Sequence, residues 1–512
     1  MKSYYDYMRE ISPSELLDGL LGYGLFTDKL PDVFTGESFL QYCKNCGSLP
    51  FGKQGYDYVR FRAMRNTGFM RDFAVPNPIP YAHLCLFLHD NWINHLLPYF
   101  NQTTSLLEFS YSQIHIQKIN NCKSLFRLSL SYCDKDSQTI SLCENLKIGK
   151  HYRVCADIAN CFPSIYSHSL AWALVGKPTA KASKGNQNAW YNKLDKFSRL
   201  TKNNETNGLL IGPHASNLLS EIVLSDIDRQ MQLKGYRYIR NIDDCECYVE
   251  SYDKAQAFIL DFAKILAEYD LKINEKKIKI EKLPIEDENW VTQLNSFYFG
   301  SDKTKNGKII LYKNRLSAFL SLAKKMALNS NNHSVYLYAI KMIHDMYLGA
   351  RAKEYLMNEM HSIILTNTYL APYFAEHLFD NFAIDKEQIK PISKNLYNEG
   401  IRTNNFEACS YALFWALKYG YILSSDITHK MIYDDSLKSN DCIFLLLAFL
   451  YAKKNREGTY TRKYKDFASI ITDIDRYWYF IYEVLDISKL PNQEMKTLKK
   501  AKVSFVRKEY IK

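Results

Sequence analysis

No stretch of this chain is both long enough and apolar enough to cross a bilayer. The longest apolar run, residues 442–452, falls short of the roughly 20 residues that a spanning helix needs. Nor is a cleavable leader expected, since Met1-Lys2-Ser3-Tyr4-Tyr5-Asp6 leads into no apolar core. The 12 cysteines lack the spacing of a disulfide framework. One CxxC occurs, Cys43-Lys44-Asn45-Cys46, but no second pair follows at zinc spacing, and these read as ordinary reduced thiols. A cytoplasmic protein with no membrane partner is expected. Charge of neither sign dominates, and the net +11 suits a polyanionic partner without deciding for one. The 47% apolar content supports an ample core, and 512 residues suggest two to four domains. Aromatics are plentiful, with 39 Tyr and 28 Phe. Tyrosine-rich surfaces can stack bases, although most of these rings belong to a core.

The most informative stretch is residues 238–249, YIRNIDDCECYV. Two adjacent carboxylates, Asp243 and Asp244, interrupt a run that otherwise favours strand, which reads as a hairpin with the acids at its tip. Adjacent like charges repel unless solvated or neutralised by a cation. An isolated pair of this kind is ordinarily a solvated turn. A third acid changes the reading: Asp157 closes the apolar run Val154-Cys155-Ala156, and Pro163 then prevents regular pairing. A strand-end acid and a hairpin pair can share Mg²⁺, a hard cation that binds through carboxylates and substrate phosphates. Two such ions roughly 4 Å apart would clamp the attacking and leaving oxygens of an in-line phosphoryl transfer.

At these residues the chain resembles a reverse transcriptase palm. DIANCFPSIY at 157–166 looks like polymerase motif A, and GLLIGPHASNLLSEIVL at 208–224 like motif B. RNIDDC at 240–245 looks like motif C, usually written YxDD. LKINEKK at 271–277 resembles motif D, and FYFG at 297–300 motif E. Upstream, RDFAVPNP at 71–78 resembles the finger segment written RxxxIPNP in bacterial members. One such motif is a weak signal; five in order behind a matching finger segment are a strong one. The resemblance spans residues 55–315.

The resemblance implies catalysis by Asp157, Asp243 and Asp244, with two Mg²⁺ ions, or Mn²⁺ in their place, held by Asp157, Ile158, Asp243 and Asp244. It implies that Arg65, Arg71, Phe162, Gly212 and Lys276 hold the nucleotide. Arginine's planar fork suits phosphate. Phe162, five residues after Asp157, matches the gate that excludes a ribose 2′-OH, so deoxynucleotides are the expected substrates. Gly208 and Gly212 would let the backbone approach a base pair or sugar. Lys276 matches the motif D lysine placed near the leaving pyrophosphate; a plain basic surface is the alternative in so Lys-rich a run. Two departures stand out. Asn241 replaces the motif C aromatic, and Ile211 stands where templated enzymes often carry Gln. The second weakens the case for faithful copying but leaves the metal chemistry intact.

The remainder reads coarsely. Residues 12–17, SPSELL, look like a capped helix start. Tyr4, Tyr5 and Tyr7 precede it on what looks like a mobile arm. Arg60 and Arg62 alternate as on one strand face. Residues 80–100 read as an apolar core helix with Trp92. Residues 101–150 alternate at Phe109, Tyr111, Ile114 and Ile116, as finger strands do. Residues 177–207 read as a loop or short helical insertion, 253–270 as a helix and 271–280 as a strand. Helix is expected from residue 216 onward, and His214 is open between a substrate contact and a packed residue. From about residue 316, helix-length amphipathic segments follow one another: 317–328, 335–347, 352–365, 373–382, 406–417, 442–453 and 464–485. They suggest an α-solenoid-like domain without a crisp repeat. The expected fold is therefore α+β: right-hand fingers and palm, an antiparallel sheet with helices, followed by an all-α C-terminal domain. Domains fall at 1–55, 56–315 and 316–512.

This layout is similar to the abortive-infection (Abi, AbiK-like) reverse transcriptases of the bacterial defence-associated group. That resemblance implies a phage-defence enzyme that polymerises deoxynucleoside triphosphates without a template, primed by a tyrosine of the protein. Tyr4, Tyr5 and Tyr7 are the candidates. Its product would be single-stranded DNA attached to the protein, and it would assemble as a homo-oligomer such as a trimer or hexamer. The alternatives are an RNA-templated reverse transcriptase copying a partner non-coding RNA, and a polymerase-derived binding scaffold without catalysis.

Overall fold

The computed structural model describes residues 4–46, 49–104, 145–285 and 290–511, and the backbone alone at 111–112, 115–116 and 126–127. The alternation read at Phe109 and Ile114 lies outside the described residues, as does the Tyr4 side chain.

The chain is organised around a five-stranded sheet. Its strands are β3 (Tyr111–Ser112), β4 (Tyr152–Asp157), β5 (Tyr238–Asn241), β6 (Asp244–Val249) and β7 (Lys279–Lys282), in the order β3-β5-β6-β4-β7. All neighbours are antiparallel except β3 and β5. Successive strand residues face opposite sides, and here the two sides differ in chemistry. Val154, Ala156, Cys245, Cys247 and Val249 are buried on one face. The other face carries Arg153, Cys155 and Asp157, paired across the sheet with Tyr248, Glu246 and Asp244. Arg153 there bridges Glu281 at 2.7 Å and Glu246 at 3.6 Å. A sheet with one apolar and one polar face needs cover on one side only.

The fingers begin with a hairpin, β1 (Tyr58–Met64) against β2 (Met70–Pro76), in register from Tyr58↔Pro76 to Met64↔Met70. Val59, Phe61 and Ala63 are buried, while Arg60 and Arg62 alternate outward, as their spacing predicts. Among the helices, α1 (Tyr4–Met8) packs on α3 (Leu97–Thr104). The segment 80–100 divides between α2 (Pro78–Asn91), a π-helical turn at Trp92–Leu96 and α3, with Trp92 fully buried. The insertion at 177–207 holds two helices, Lys177–Ala182 and Trp190–Leu200. Two long helices, α4 (His214–Leu233) and α5 (Tyr252–Glu268), cover the apolar face of the sheet. Phe258 and Phe262 of α5 meet the Tyr238 ring edge-on at 5.7 and 6.4 Å. The segment 271–280 is not one strand. A 3-10 turn at Glu275–Lys277 interrupts it before β7.

The C-terminal part is helical, with helices at Lys313–Ser330, Ser334–Met342, Ala350–Thr366, Lys386–Thr403, α6 (Phe406–Tyr419), His429–Ser439, α7 (Cys442–Lys454), Gly458–Ile470 and Trp478–Val484. The apolar run at 442–452 is α7, buried all round, as a central core helix should be. Asp441 caps it by accepting from Ile443 and Phe444 N–H, both at 2.9 Å. The expected helix 464–485 breaks at 471–477, where Asp475 accepts from Asp57 N–H at 2.9 Å and Arg476 meets the Asp57 carboxylate. These contacts tie the finger hairpin to the helical part, as does Glu407 Oε2, which accepts from Met64 N–H at 2.6 Å. Near the two ends of the chain, Phe34 bridges Val506, and Thr35 N–H donates to Phe505 at 2.9 Å. One continuous apolar core runs from Met8 to Tyr510.

Candidate active site

β4 ends at Asp157, which is 3% exposed. The chain then turns sharply through Asn160, at φ 46, into a short helix at Cys161–Ser164. Asp244 lies directly opposite Asp157 in the ladder, and Asp243 sits in the preceding turn. Ile158 N–H donates to the Asp243 carbonyl at 3.0 Å, which closes the gap between strand end and hairpin. Carboxylate oxygens of Asp157, Asp243 and Asp244 thereby come within 4.8 Å of one another. Among the described residues this is the only group of three or more His, Cys, Asp or Glu placed to share a cation.

Such proximity has an electrostatic cost. Burial and then the charge of Asp157 raise Asp243 above the usual carboxylate range. Asp244 is pushed up to about 6, first by its enclosure in the cleft and then by sharing a proton with Asp157. One ammonium already answers this field. Lys277 Nζ donates to Asp157 Oδ2 at 2.5 Å and reaches Asp244 Oδ1 at 3.4 Å. Burial works against the Lys277 charge, but the bond to Asp157 and the charge of Asp244 outweigh it, and its pKa is raised. Asn274 fixes this turn by donating to Asp157 twice, from N–H to the carbonyl at 2.7 Å and from Nδ2 to Oδ1 at 2.8 Å. Three converging carboxylates, two of which already hold an ammonium, fit Mg²⁺ or Mn²⁺ as hard-oxygen ligands. Ile158, its side chain buried, has only a main-chain carbonyl to add.

The other residues singled out in the sequence fall at different distances from this centre. Arg71, half-buried on β2, has its pKa lowered by burial and by the neighbouring charge of Arg65, while Asp243 pulls the other way. It therefore sits within the field of both. Arg65 is exposed in the hairpin turn, where its N–H donates to Phe69 at 2.9 Å. The half-buried Phe162 packs against the core from the short helix that follows Asp157, and its carbonyl accepts from Leu209 N–H at 2.8 Å.

What approaches the motif B glycines is the protein's own backbone. A Cβ on Gly208 would lie 2.6 Å from the Pro163 carbonyl oxygen, and one on Gly212 would lie 2.9 Å from that of Ala74. Gly212, at φ 129, thus seats β2 against the entry to α4, where Ala74 N–H donates to the Ile211 carbonyl at 2.8 Å. His214 is a packed residue, buried against Gly24. Lys276 is exposed on the 3-10 turn, and it is the next residue, Lys277, that reaches the carboxylates. Tyr5 and Tyr7 are half-buried in α1, and Met8 is completely buried. A priming role for them would require α1 to leave its place on α3.

A strand-end carboxylate beside a hairpin carboxylate pair, on the open face of a sheet backed by two helices, is a polymerase palm, and the family comparison agrees. Residues 93–304 match the model for reverse transcriptase (RNA-dependent DNA polymerase). These residues form a reverse transcriptase domain. The domain is a nucleotidyltransferase of the RNA-directed DNA polymerase type, and it includes Asp157, Asp243, Asp244 and Lys277. It begins after the β1–β2 hairpin, so Arg65 and Arg71 lie outside it. Two solved telomerases are similar at a distance. For telomerase from Candida albicans in complex with a TWJ fragment of telomeric RNA, identity is 11% and TM-score 0.29, over 68% of this chain and 62% of that one. For apo telomerase from Candida tropicalis, identity is 12% and TM-score 0.31, over 78% and 70%. The chain thus spans less than two thirds of the first of these telomerases, and likeness this slight carries no inference about substrates or partners. No curated protein matches the chain.

Reading the sequence missed Lys277, Asn274, and the buried group Glu221, Asp228 and Arg240 beneath the turn. Only the 3-10 turn selects Lys277 over its neighbours in a Lys-rich run. Glu221 and Asp228 stand seven apart on α4, which places both on one face, but their partner is supplied by a different strand.

Proposed function

We propose that this chain is a divalent-cation-dependent DNA polymerase that extends its product without a template and primes on one of its own tyrosines, in an abortive-infection role. The observation that carries the polymerase reading is the convergence of Asp157, Asp243 and Asp244 within a reverse transcriptase domain. Divalent cations bound there supply charge neutralisation at the attacking and leaving oxygens of phosphoryl transfer. The chain's own residues do the rest. Asp157, Asp243 and Asp244, with the Ile158 carbonyl, hold the cations. Arg71 and Arg65 bring guanidinium charge to the triphosphate, and Phe162 stands where a ribose 2′-OH would press. Lys277, once displaced from the carboxylates, is the ammonium that would serve the departing pyrophosphate. Residues 56–315 form the catalytic unit, with 1–55 and the helical 316–512 as its support. The untemplated, tyrosine-primed and defence parts of this reading, the homo-oligomer and the cytoplasmic setting rest on the motif order, on Ile211 and on the helical C-terminal part.

One observation favours a second reading, synthesis templated by RNA. A groove of about 630 Å³ opens between the finger hairpin, the segment before α4 and the starts of α6 and α7. Its lining includes Arg60, Arg62, Phe73, Asn404, Phe406 and Asn440. Basic, amide and aromatic groups together suit a single nucleic-acid strand.

Labelled dNTPs with Mn²⁺ or Mg²⁺, without primer or template, separate the two. Label that stays with the protein on a denaturing gel and is released by protease supports priming from the protein. Label that appears only with an added RNA template and primer supports the second reading. Asp243→Asn should abolish both, and undiminished synthesis by that variant would sink the polymerase reading.

A further inference from the structure

The turn that carries Asp243 is made from a residue ill suited to it. Pairing runs to Asn241↔Asp244, which leaves Ile242 and Asp243 as a two-residue hairpin loop. Such loops need a positive φ at their first position and favour Gly, Asn or Asp there. Here the position is Ile242, at φ 59. A β-branched residue in that region is an outlier, because its Cβ crowds the neighbouring backbone. The conformation persists only where the surroundings impose it.

Arg240 supplies that constraint. Its side chain is fully buried, and all five of its N–H groups are engaged. Nε donates to Asp228 at 3.0 Å, and Nη2 to Asp228 at 2.7 Å and Glu221 Oε2 at 3.1 Å. Nη1 donates to Glu221 Oε1 at 3.0 Å and, with its other proton, to the Ile242 carbonyl at 2.9 Å. Tyr238 adds its hydroxyl to Asp228. The next carbonyl, that of Asp243, is held by Ile158 N–H at 3.0 Å. Both peptides of the loop are therefore pinned, one to α4 through Arg240 and the other to the strand end that carries Asp157. A buried ion cluster is often no more stable than apolar residues of the same shape, so stability alone does not account for this one. Its fifth donor, spent on the strained turn, does.

We propose that Arg240 is a positioning residue for the cation site: by holding the Ile242 carbonyl it keeps the strained turn in the form that sets Asp243 and Asp244 beside Asp157. The proposal rests on reading those carboxylates as the divalent-cation ligands. Groups that orient metal ligands commonly affect affinity by 10–100-fold.

The test reads Mn²⁺ binding to the full chain by electron paramagnetic resonance, without nucleotide. Arg240→Met alone would strand two buried carboxylates, so it is combined with Glu221→Gln and Asp228→Asn. Mn²⁺ affinity should fall by about tenfold or more while the chain stays folded by circular dichroism. Adding Ile242→Gly, which accepts a positive φ without a Cβ, should restore most of the loss. A general structural role for the cluster predicts no such rescue. If the triple variant does not fold, Arg240→Lys serves, since it keeps the buried charge but lacks the second arm that reaches the carbonyl. Folded variants with unchanged Mn²⁺ affinity, or a loss that Ile242→Gly leaves untouched, overturn the proposal. So does a wild-type chain that binds no Mn²⁺. A wild-type chain that binds Mn²⁺ yet incorporates no dNTP sinks the polymerase reading alone.

Discussion

Replacing Lys277 by methionine should change cation binding and DNA synthesis in opposite directions. The ammonium sits 2.5 Å from Asp157 and 3.4 Å from Asp244, on oxygens that a divalent cation would need. Any cation that binds must first displace it. At an effective dielectric near 20, one charge pair at about 4 Å is worth about 4 kcal/mol. The Lys277 side chain is 53% exposed, however, and exposed pairs measure about 0.2–1 kcal/mol once solvent screening and side-chain entropy are included. Two partners of that kind give about 1 kcal/mol, a factor of about 5. Lys277→Met, which keeps the length and loses the charge, should therefore bind Mn²⁺ about fivefold more tightly in the absence of nucleotide. Synthesis should fall, by about 100-fold if the displaced ammonium protonates the departing pyrophosphate. Mn²⁺ titration and single-turnover incorporation on the same preparation test both halves. Unchanged or weaker Mn²⁺ binding refutes the competition argument. Equal effects from Lys276→Met would refute the assignment of the role to Lys277.

Three further outcomes are expected. Burial and the neighbouring carboxylates raise both Asp243 and Asp244 above the ordinary carboxylate range, so their protonation favours the folded, cation-free chain; that contribution is complete below about pH 4, and the part from Asp244 is lost as pH rises through about 6. The melting temperature without cation should accordingly fall between about pH 4 and 6, and saturating Mn²⁺ should remove the slope. Gly212→Ala puts a side chain at φ 129, 2.9 Å from the Ala74 oxygen; it should destabilise by about 2–3 kcal/mol, read as a lower denaturant midpoint. Phe162→Ala should raise the ratio of ribonucleotide to deoxynucleotide incorporation by about tenfold or more, and an unchanged ratio would remove Phe162 from the sugar contact.

The helical C-terminal part gains meaning from what it touches. Glu407, from α6, takes the last amide of β1, and Asp475 and Arg476 take Asp57 just before its start. The first strand of the hairpin that carries Arg65 and Arg71 is thus fixed at both ends by the helical part, at one end by α6 and at the other by the turn after Gly458–Ile470, hundreds of residues away in the chain. Sequence periodicity located most of those helices, because an amphipathic or wholly apolar segment of 10–18 residues has few other ways to bury itself. It passed over Lys386–Thr403, which contains Pro391, and His429–Ser439, which is largely polar.

Local chemistry was enough to specify the strand ending in Asp157, the hairpin ending in Asp243 and Asp244, the long helix after the motif B glycines, and so the α+β palm. In each, the alternation or run of apolar residues points to the same element within a few positions. Three things needed the folded chain. Lys277 is chosen over Lys276 by a 3-10 turn that Asn274 anchors to Asp157 from the neighbouring strand. The motif B glycines turn out to be packed against the protein's own backbone, Gly208 at Pro163 and Gly212 at Ala74 of β2, segments joined to them only in space. The positive φ at Ile242, which local propensity opposes, is held by a guanidinium whose partners come from α4. Short-range preferences are written in neighbouring residues; the positions of charges that answer one another across the fold are set only when distant segments meet.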